Sequence, residues 1–149
     1  ASLIHRAEDR KHGATLVLDL NASPLVITGQ CFDRPLDLQE PETLDLAKSL
    51  LRLDGALHIG ADLHLHGFAC LLDGRAIEGE NRARGARYNS ALRFSAEHAD
   101  IIIVVVSSDR PASIIQSGVE ISAACPWRPM SCGIVQPTRL DRWVDRNGD

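Results

Sequence analysis

The six residues Ile101 to Val106 constrain this chain more than any other stretch. An uninterrupted β-branched run of that length, free of charge and of glycine, predicts a buried strand. Just before it, Ala91, Leu92, Phe94, Ser95 and Ala96 fall at helical spacing behind a glycine at position 85 and an arginine at 87. A helix therefore feeds directly into the strand. That succession points to a mixed α/β fold, a central mixed β-sheet flanked by helices.

The flanking segments supply the other layers. Ser2 to His12 reads as a short amphipathic helix with Leu3, Ile4 and Ala7 on one face and Gly13 at its end. Ala14–Leu18 and Leu25–Thr28 read as two strands, and the turn residues Asn21-Ala22-Ser23-Pro24 between them predict a hairpin. Pro41 and Glu42 open a second helix, whose Leu44, Leu46, Ala47, Leu50, Leu51 and Leu53 make a wide apolar face. Gly55–Ile59 and Phe68–Leu72 are further strands, Asp73-Gly74 is a turn, and Glu78–Arg84 is a polar loop. Between those strands Asp62, His64 and His66 alternate onto one face. Such spacing serves either a metal site or a strand edge with Leu63 and Leu65 turned inward.

Beyond Val106, Ser107–Pro111 is a turn, and Ala112–Ile115 pairs with Val119–Ile121 around Gln116-Ser117-Gly118. The sheet then has about six or seven strands. Residues 1-122 form one domain, and 123-149 are expected to be an irregular C-terminal extension packed on it, with Trp127 and Trp143 pinning it and the charged end frayed or cut.

A chain of 149 residues, 44% hydrophobic and 24% charged, suits a single core. Its formal net charge of -4 argues against a sequence-independent nucleic-acid grip, which needs clustered cations. Only Lys11 and Lys48 among the sixteen basic residues are lysines, and arginine's planar fork favours bidentate phosphate recognition, although an arginine-rich genome gives the same bias. The four cysteines form no C-x-x-C, and neither a secretory signal nor a span of eighteen apolar residues is present. The expectation is a cytoplasmic protein with reduced thiols and no membrane partner. Cys70 is a core residue, while Cys125 and Cys132 fit no zinc finger or ribbon.

The chemistry concentrates in two stretches. Leu53-Asp54-Gly55-Ala56-Leu57 is a tight turn that delivers one carboxylate at the mouth of a strand, with small residues where backbone meets a ligand closely. Arg84-Gly85-Ala86-Arg87-Tyr88-Asn89-Ser90-Ala91 is a helix start with an arginine in its first turn. Unpaired N–H groups and the positive dipole end would face an anion there, while Asp54 across the site could hold a divalent cation or accept a hydroxyl proton.

In this order, with the His12-Gly13-x-Thr15-Leu16-Val17 strand before and the apolar strand and Ser107 hairpin after, the motifs resemble the diadenylate cyclase (DAC, DisA nucleotide-binding) domain over roughly Lys11 to Gly118. In that family two facing domains hold two ATP molecules, and each 3′-hydroxyl attacks the other α-phosphate to give cyclic di-AMP. The family's Asp-Gly-Ala falls on Asp54-Gly55-Ala56, which implies metal binding and hydroxyl activation by Asp54. Its Gly-Thr-Arg-His-Arg falls on Gly85-Ala86-Arg87-Tyr88-Asn89, so Ala86, Tyr88 and Asn89 stand where the family has Thr, His and Arg. The resemblance implies a nucleotide site of Asp54, Gly55, Ala56, Leu57, Gly85, Ala86, Arg87, Tyr88, Asn89, Ser107 and Ser108, with Asp54 as catalytic residue and metal ligand.

Three functions follow as expectations. The first is a sensor domain that binds an adenine nucleotide or cyclic dinucleotide and signals to a fused or adjacent effector. The second is an active diadenylate cyclase, a nucleotidyltransferase using Mg²⁺ or Mn²⁺ with ATP. The third is a structural or interaction domain that binds neither. The isolated domain is expected to be mainly monomeric, with a face-to-face dimer if catalytic.

Overall fold

The structure, a computed structural model, describes residues 3–4, 13–108 and 110–124. Seven strands form one mixed sheet: β1 (Ala14–Asp19), β2 (Gln30–Asp37), β3 (Ala56–Gly60), β4 (His64–Cys70), β5 (Ile101–Val106), β6 (Ser113–Gln116) and β7 (Val119–Glu120). Their spatial order is β2-β4-β3-β1-β5-β6-β7, with β1 parallel to β3 and every other pair antiparallel. Helix α1 (Pro41–Leu50), helix α2 (Ala86–Glu97) and a short helical turn α3 (Ile121–Ala124) complete the fold.

Alternation along the central strands divides the core into two layers. Leu16, Leu57, Ile59, Leu65, Val104 and Val106 pack with Ala47 and Leu51 at α1, and Leu3 and Ile4 join this layer. Val17, Ala56, Ile101, Ile103, Val105 and Ile115 pack with Ala91, Leu92 and Phe94 of α2 on the other face. The run Ile101–Val106 is apolar throughout because β5 has a layer on each side. Of the helix expected over Ser2–His12, Leu3 and Ile4 are helical and the rest lies outside the described residues, as do the extension from 125 to 149, Cys125, Cys132, Trp127 and Trp143.

Several expectations require correction. Leu25–Thr28 is not a strand and forms no hairpin with β1, because β1 is already flanked by β3 and β5. Asp19 captures the connection instead: its carboxylate accepts from Asn21 N–H at 3.0 Å, Asn21 Nδ2 at 2.8 Å and Leu25 N–H at 2.7 Å. The edge position expected for Asp62–His66 belongs to β2, which covers β4. Leu63 is 54% exposed with φ 61°, so of the pair expected to turn inward only Leu65 is buried. His64–Cys70 is one irregular strand whose register slips twice against β3. Asp62 sits at its entry, where its side chain accepts from His64 N–H at 3.1 Å and lies 3.4 Å from His66 Nε2. Among the described residues no group of three or more His, Cys, Asp or Glu could hold a metal ion.

Candidate functional site

The turn at Leu53–Gly55 and the start of α2 converge at one end of the sheet. Gly55 adopts φ 103°, and a Cβ there would sit 2.6 Å from the Ala69 carbonyl carbon, so only glycine allows the chain to turn into β3 against β4. That turn brings the Asp54 carboxylate to 3.1 Å from Arg87 Nη2. The guanidinium also lies over Gly13, where a Cβ would meet Arg87 Nη1 at 2.5 Å. Asp54 and Arg87 were expected to face each other across a cleft, and they touch. Their side chains are 96% and 47% exposed, so the pair is a screened contact.

Gly85, with φ 89°, is the N-cap of α2 and supplies no side-chain cap. The first intrahelical bond runs from Asn89 N–H to Gly85 C=O at 3.2 Å, which leaves the N–H groups of Ala86, Arg87 and Tyr88 without helical acceptors. They border a cleft of about 350 Å³ whose wall includes Asp54, Arg84, Arg87, Ser107, Ser108 and Arg110. A second pocket, of about 220 Å³, also borders the Asp54–Arg87 pair and shares Asp54, Ala86 and Arg87 with the first. Gly55, Ala56, Cys70, Leu71 and Leu72 give it an apolar lining, edged by Thr15 and Ser90. Burial, together with nearby Cys31, pushes the Cys70 thiol up to about 11, so it stays neutral there.

Nine of the eleven residues expected at the site therefore border one pocket or the other. Leu57 and Asn89 do not. Leu57 is a core residue of the α1 layer. Asn89 is buried, its Nδ2 donates to Asn81 C=O at 3.2 Å, and its Oδ1 has no partner among the described residues. Tyr88 borders the cleft with its hydroxyl committed, donating to Glu120 Oε2 at 3.0 Å. Burial and the adjacent Glu120 raise its pKa, so the phenol remains protonated.

Gly13, Arg84, Arg110 and Ser113 also line the cleft and Glu120 backs it, none of them among the site residues expected from the sequence. Arg84 opens the stretch that carries Arg87, and Arg110 lies in the turn that carries Ser107 and Ser108, which was the available signal. Glu120 gave none. It sits in β7 and receives Arg84 Nη2 at 3.0 Å, Tyr88 and Ser122 Oγ at 3.2 Å. Burial pushes its carboxyl upward, but the hydrogen bonds from Ser113, Arg84 and Tyr88 outweigh that and hold it below the usual carboxylate range.

The family model "DisA bacterial checkpoint controller nucleotide-binding" matches residues 2–120. No curated protein matches the chain. Among solved structures, a hypothetical membrane spanning protein from Bacillus cereus superposes with a TM-score of 0.65 at 24% identity, covering 80% of this chain and 58% of that one. The chain thus spans well under two thirds of that protein. A double mutant of DacA from Staphylococcus aureus superposes with a TM-score of 0.59 at 17% identity, covering 80% of this chain and 79% of that one. Among the described residues, no helix is long and apolar enough to cross a membrane. Both superpositions show a shared fold, and the family match extends over most of the sequence: the chain belongs to the DAC family of DisA-type nucleotide-binding domains.

Proposed function

We propose that this domain binds an adenine nucleotide or cyclic dinucleotide, with its base in the apolar pocket and its phosphates in the arginine-lined cleft. The observation that carries the reading is the shared wall. Asp54, Ala86 and Arg87 border both hollows, so one ligand lying across them meets an apolar surface at one end and guanidinium and N–H donors at the other. An exposed ion pair stabilises by only about 0 to 1 kcal/mol. Exchanging it for a phosphate on Arg87 costs little.

Asp54 is one exposed carboxylate, which is the donor set for a magnesium or manganese ion that arrives with its nucleotide. Such an ion would supply charge neutralisation at the phosphates. This chain's own residues bind and orient: the α2 N–H groups and Arg87 hold phosphate, while Asp54, released from Arg87, lies within the same cleft as a candidate proton acceptor for a ribose hydroxyl.

Calorimetric titration with ATP and cyclic di-AMP tests the reading. Measurable heat is expected, and Arg87→Ala should weaken binding by about 1 to 3 kcal/mol with folding nearly unchanged. An absence of heat at protein concentrations that detect roughly 100 μM affinity, about -5.5 kcal/mol, would reject it.

Catalysis is the second reading, favoured by the retained and exposed Asp54. Against it, Asn89 points to the Asn81 carbonyl and Tyr88 is tied to Glu120, so the family's His and second Arg have no substitute at those two positions. Chromatography of an ATP incubation with metal separates the two. A product that disappears in Asp54→Asn supports the cyclase.

A further inference from the structure

The cleft contains an arginine outside the recognised motifs whose setting differs from that of Arg87. Arg84 ends the single 3₁₀ turn Arg82–Arg84, one residue before the N-cap of α2, and borders the same cleft. Its guanidinium is fixed from three elements. Nη2 donates to Ser113 Oγ of β6 at 2.9 Å and to Glu120 of β7 at 3.0 Å, and the plane lies 4.0 Å over the Tyr88 ring of α2. Glu80, bonded to Arg93 Nε at 2.7 Å, ties the preceding loop to α2. Glu120 is only 12% exposed at its side chain, whereas Asp54 is 96% exposed. The Arg84 pair therefore persists in conditions where the Arg87 pair exchanges.

A guanidinium has five N–H donors. Nη2 spends its two on Ser113 and Glu120, and among the described residues Nη1 donates to nothing. Arg110 borders the same wall and makes no ion pair among the described residues. A phosphate at the α2 N-terminus meets Arg87 first, and a phosphate chain running from there along the cleft meets Arg84 and Arg110.

We propose that Arg84 is a second, preorganised phosphate-binding arginine, held by Glu120, Ser113 and Tyr88, which reads the phosphates beyond the first. The ligand it selects is a nucleoside di- or triphosphate over a monophosphate or a cyclic dinucleotide, neither of which carries a consecutive phosphate chain. This rests on the nucleotide-binding reading and narrows it. Because the fork is already oriented, little side-chain entropy is lost on binding.

The experiment titrates the full chain with AMP, ADP, ATP and cyclic di-AMP in the presence of magnesium, as wild type, Arg84→Gln and Arg84→Lys. Wild type should bind ATP and ADP at least tenfold more tightly than AMP. Arg84→Gln should remove most of that advantage, losing tenfold or more for ATP and under twofold for AMP, and Arg84→Lys should keep part of it through its point charge. A structural role for Arg84 predicts something different, an equal loss for every ligand together with a lower Tm. If Arg84→Gln does not fold, the ATP-to-AMP ratio is read from Arg84→Lys, where an undiminished ratio counts against the assignment. Equal losses, no losses, or a wild type that binds AMP or cyclic di-AMP as tightly as ATP overturn the role of Arg84 and leave nucleotide binding standing. A wild type that binds none of the four overturns both.

Discussion

Asp19 and Asp54 both stand at ends of the central strands, and their surroundings give them opposite tasks. Asp54 is exposed and pairs with Arg87, while Asp19 is fully buried and accepts from Asn21, Leu25 and His58, whose Nε2–H donates to Oδ2 at 2.9 Å. Burial alone would raise the Asp19 pKa, but the hydrogen bonds from Leu25, Asn21 and His58 outweigh it, and the net shift is downward. A carboxyl depressed in the folded state contributes stability above its unfolded pKa and loses it as pH falls through the folded one. Asp19→Asn should therefore cost about 2 to 4 kcal/mol at neutral pH, because donors would face an amide in place of a carboxylate. Below pH of about 4 that difference should shrink. Denaturant unfolding of both proteins at neutral pH and near pH 3 checks it, and stability curves that stay parallel would refute the linkage. The same contrast explains what was legible. Asp54 and Arg87 stood out because each lies in a short local motif. Asp19 meets His58 39 residues away, and Arg84 meets Glu120 36 residues away, so no spacing along the chain announces either pair.

At the level of elements, α1, α2, β1, β3 and β5 were readable because each carries its own periodicity or apolar run. Strand β2 was not. Its residues Gln30–Asp37 include Asp33, Arg34 and Pro35, it lies at the sheet edge, and its register slips between Cys31 and Leu36, so neither alternation nor propensity marks it. Partner choice was equally hidden: β1 pairs with β3 and β5, both distant in sequence, while the turn residues after it favoured a local hairpin. The two glycines that open β3 and α2 give an element-scale prediction. Both have positive φ, but a Cβ at Gly55 would strike the Ala69 backbone, whereas a Cβ at Gly85 would meet nothing within 4 Å. Gly85→Ala should cost about 1 to 3 kcal/mol from the backbone alone, because φ 89° with ψ 167° is a conformation that essentially only glycine adopts. Gly55→Ala should cost more, about 2 to 4 kcal/mol, and weaken nucleotide binding too, because the turn that carries Asp54 must move. Thermal unfolding beside titration of each variant decides it, and equal losses at the two positions would show that the Ala69 contact is not limiting.

Across the whole molecule, the sheet separates a structural end from a chemical one. Asp19, His58 and His66 gather where β1 and β3 finish and β4 begins, and Asp54, Arg84 and Arg87 gather where β1 and β3 begin. The chemical end also decides assembly. Joining two nucleotides symmetrically requires two copies of the cleft to face each other, each contributing its own Asp54 and Arg87, whereas a sensor can hold its ligand in one copy. The rim of the cleft carries Arg110, which makes no ion pair among the described residues, beside Arg84 and Arg87, and two such rims repel across a shared face unless phosphates lie between them. The apolar Leu71, 62% exposed beside the second pocket, adds only a small hydrophobic contribution against that repulsion. The domain should therefore be mainly monomeric in light scattering without ligand. If a dimer forms, it should form on addition of ATP and weaken in Arg87→Ala, since removing the phosphate grip removes the charge that bridges the rims. A stable ligand-free dimer, with two Asp54 residues brought together across its interface, would overturn this order and put the cyclase ahead of the sensor.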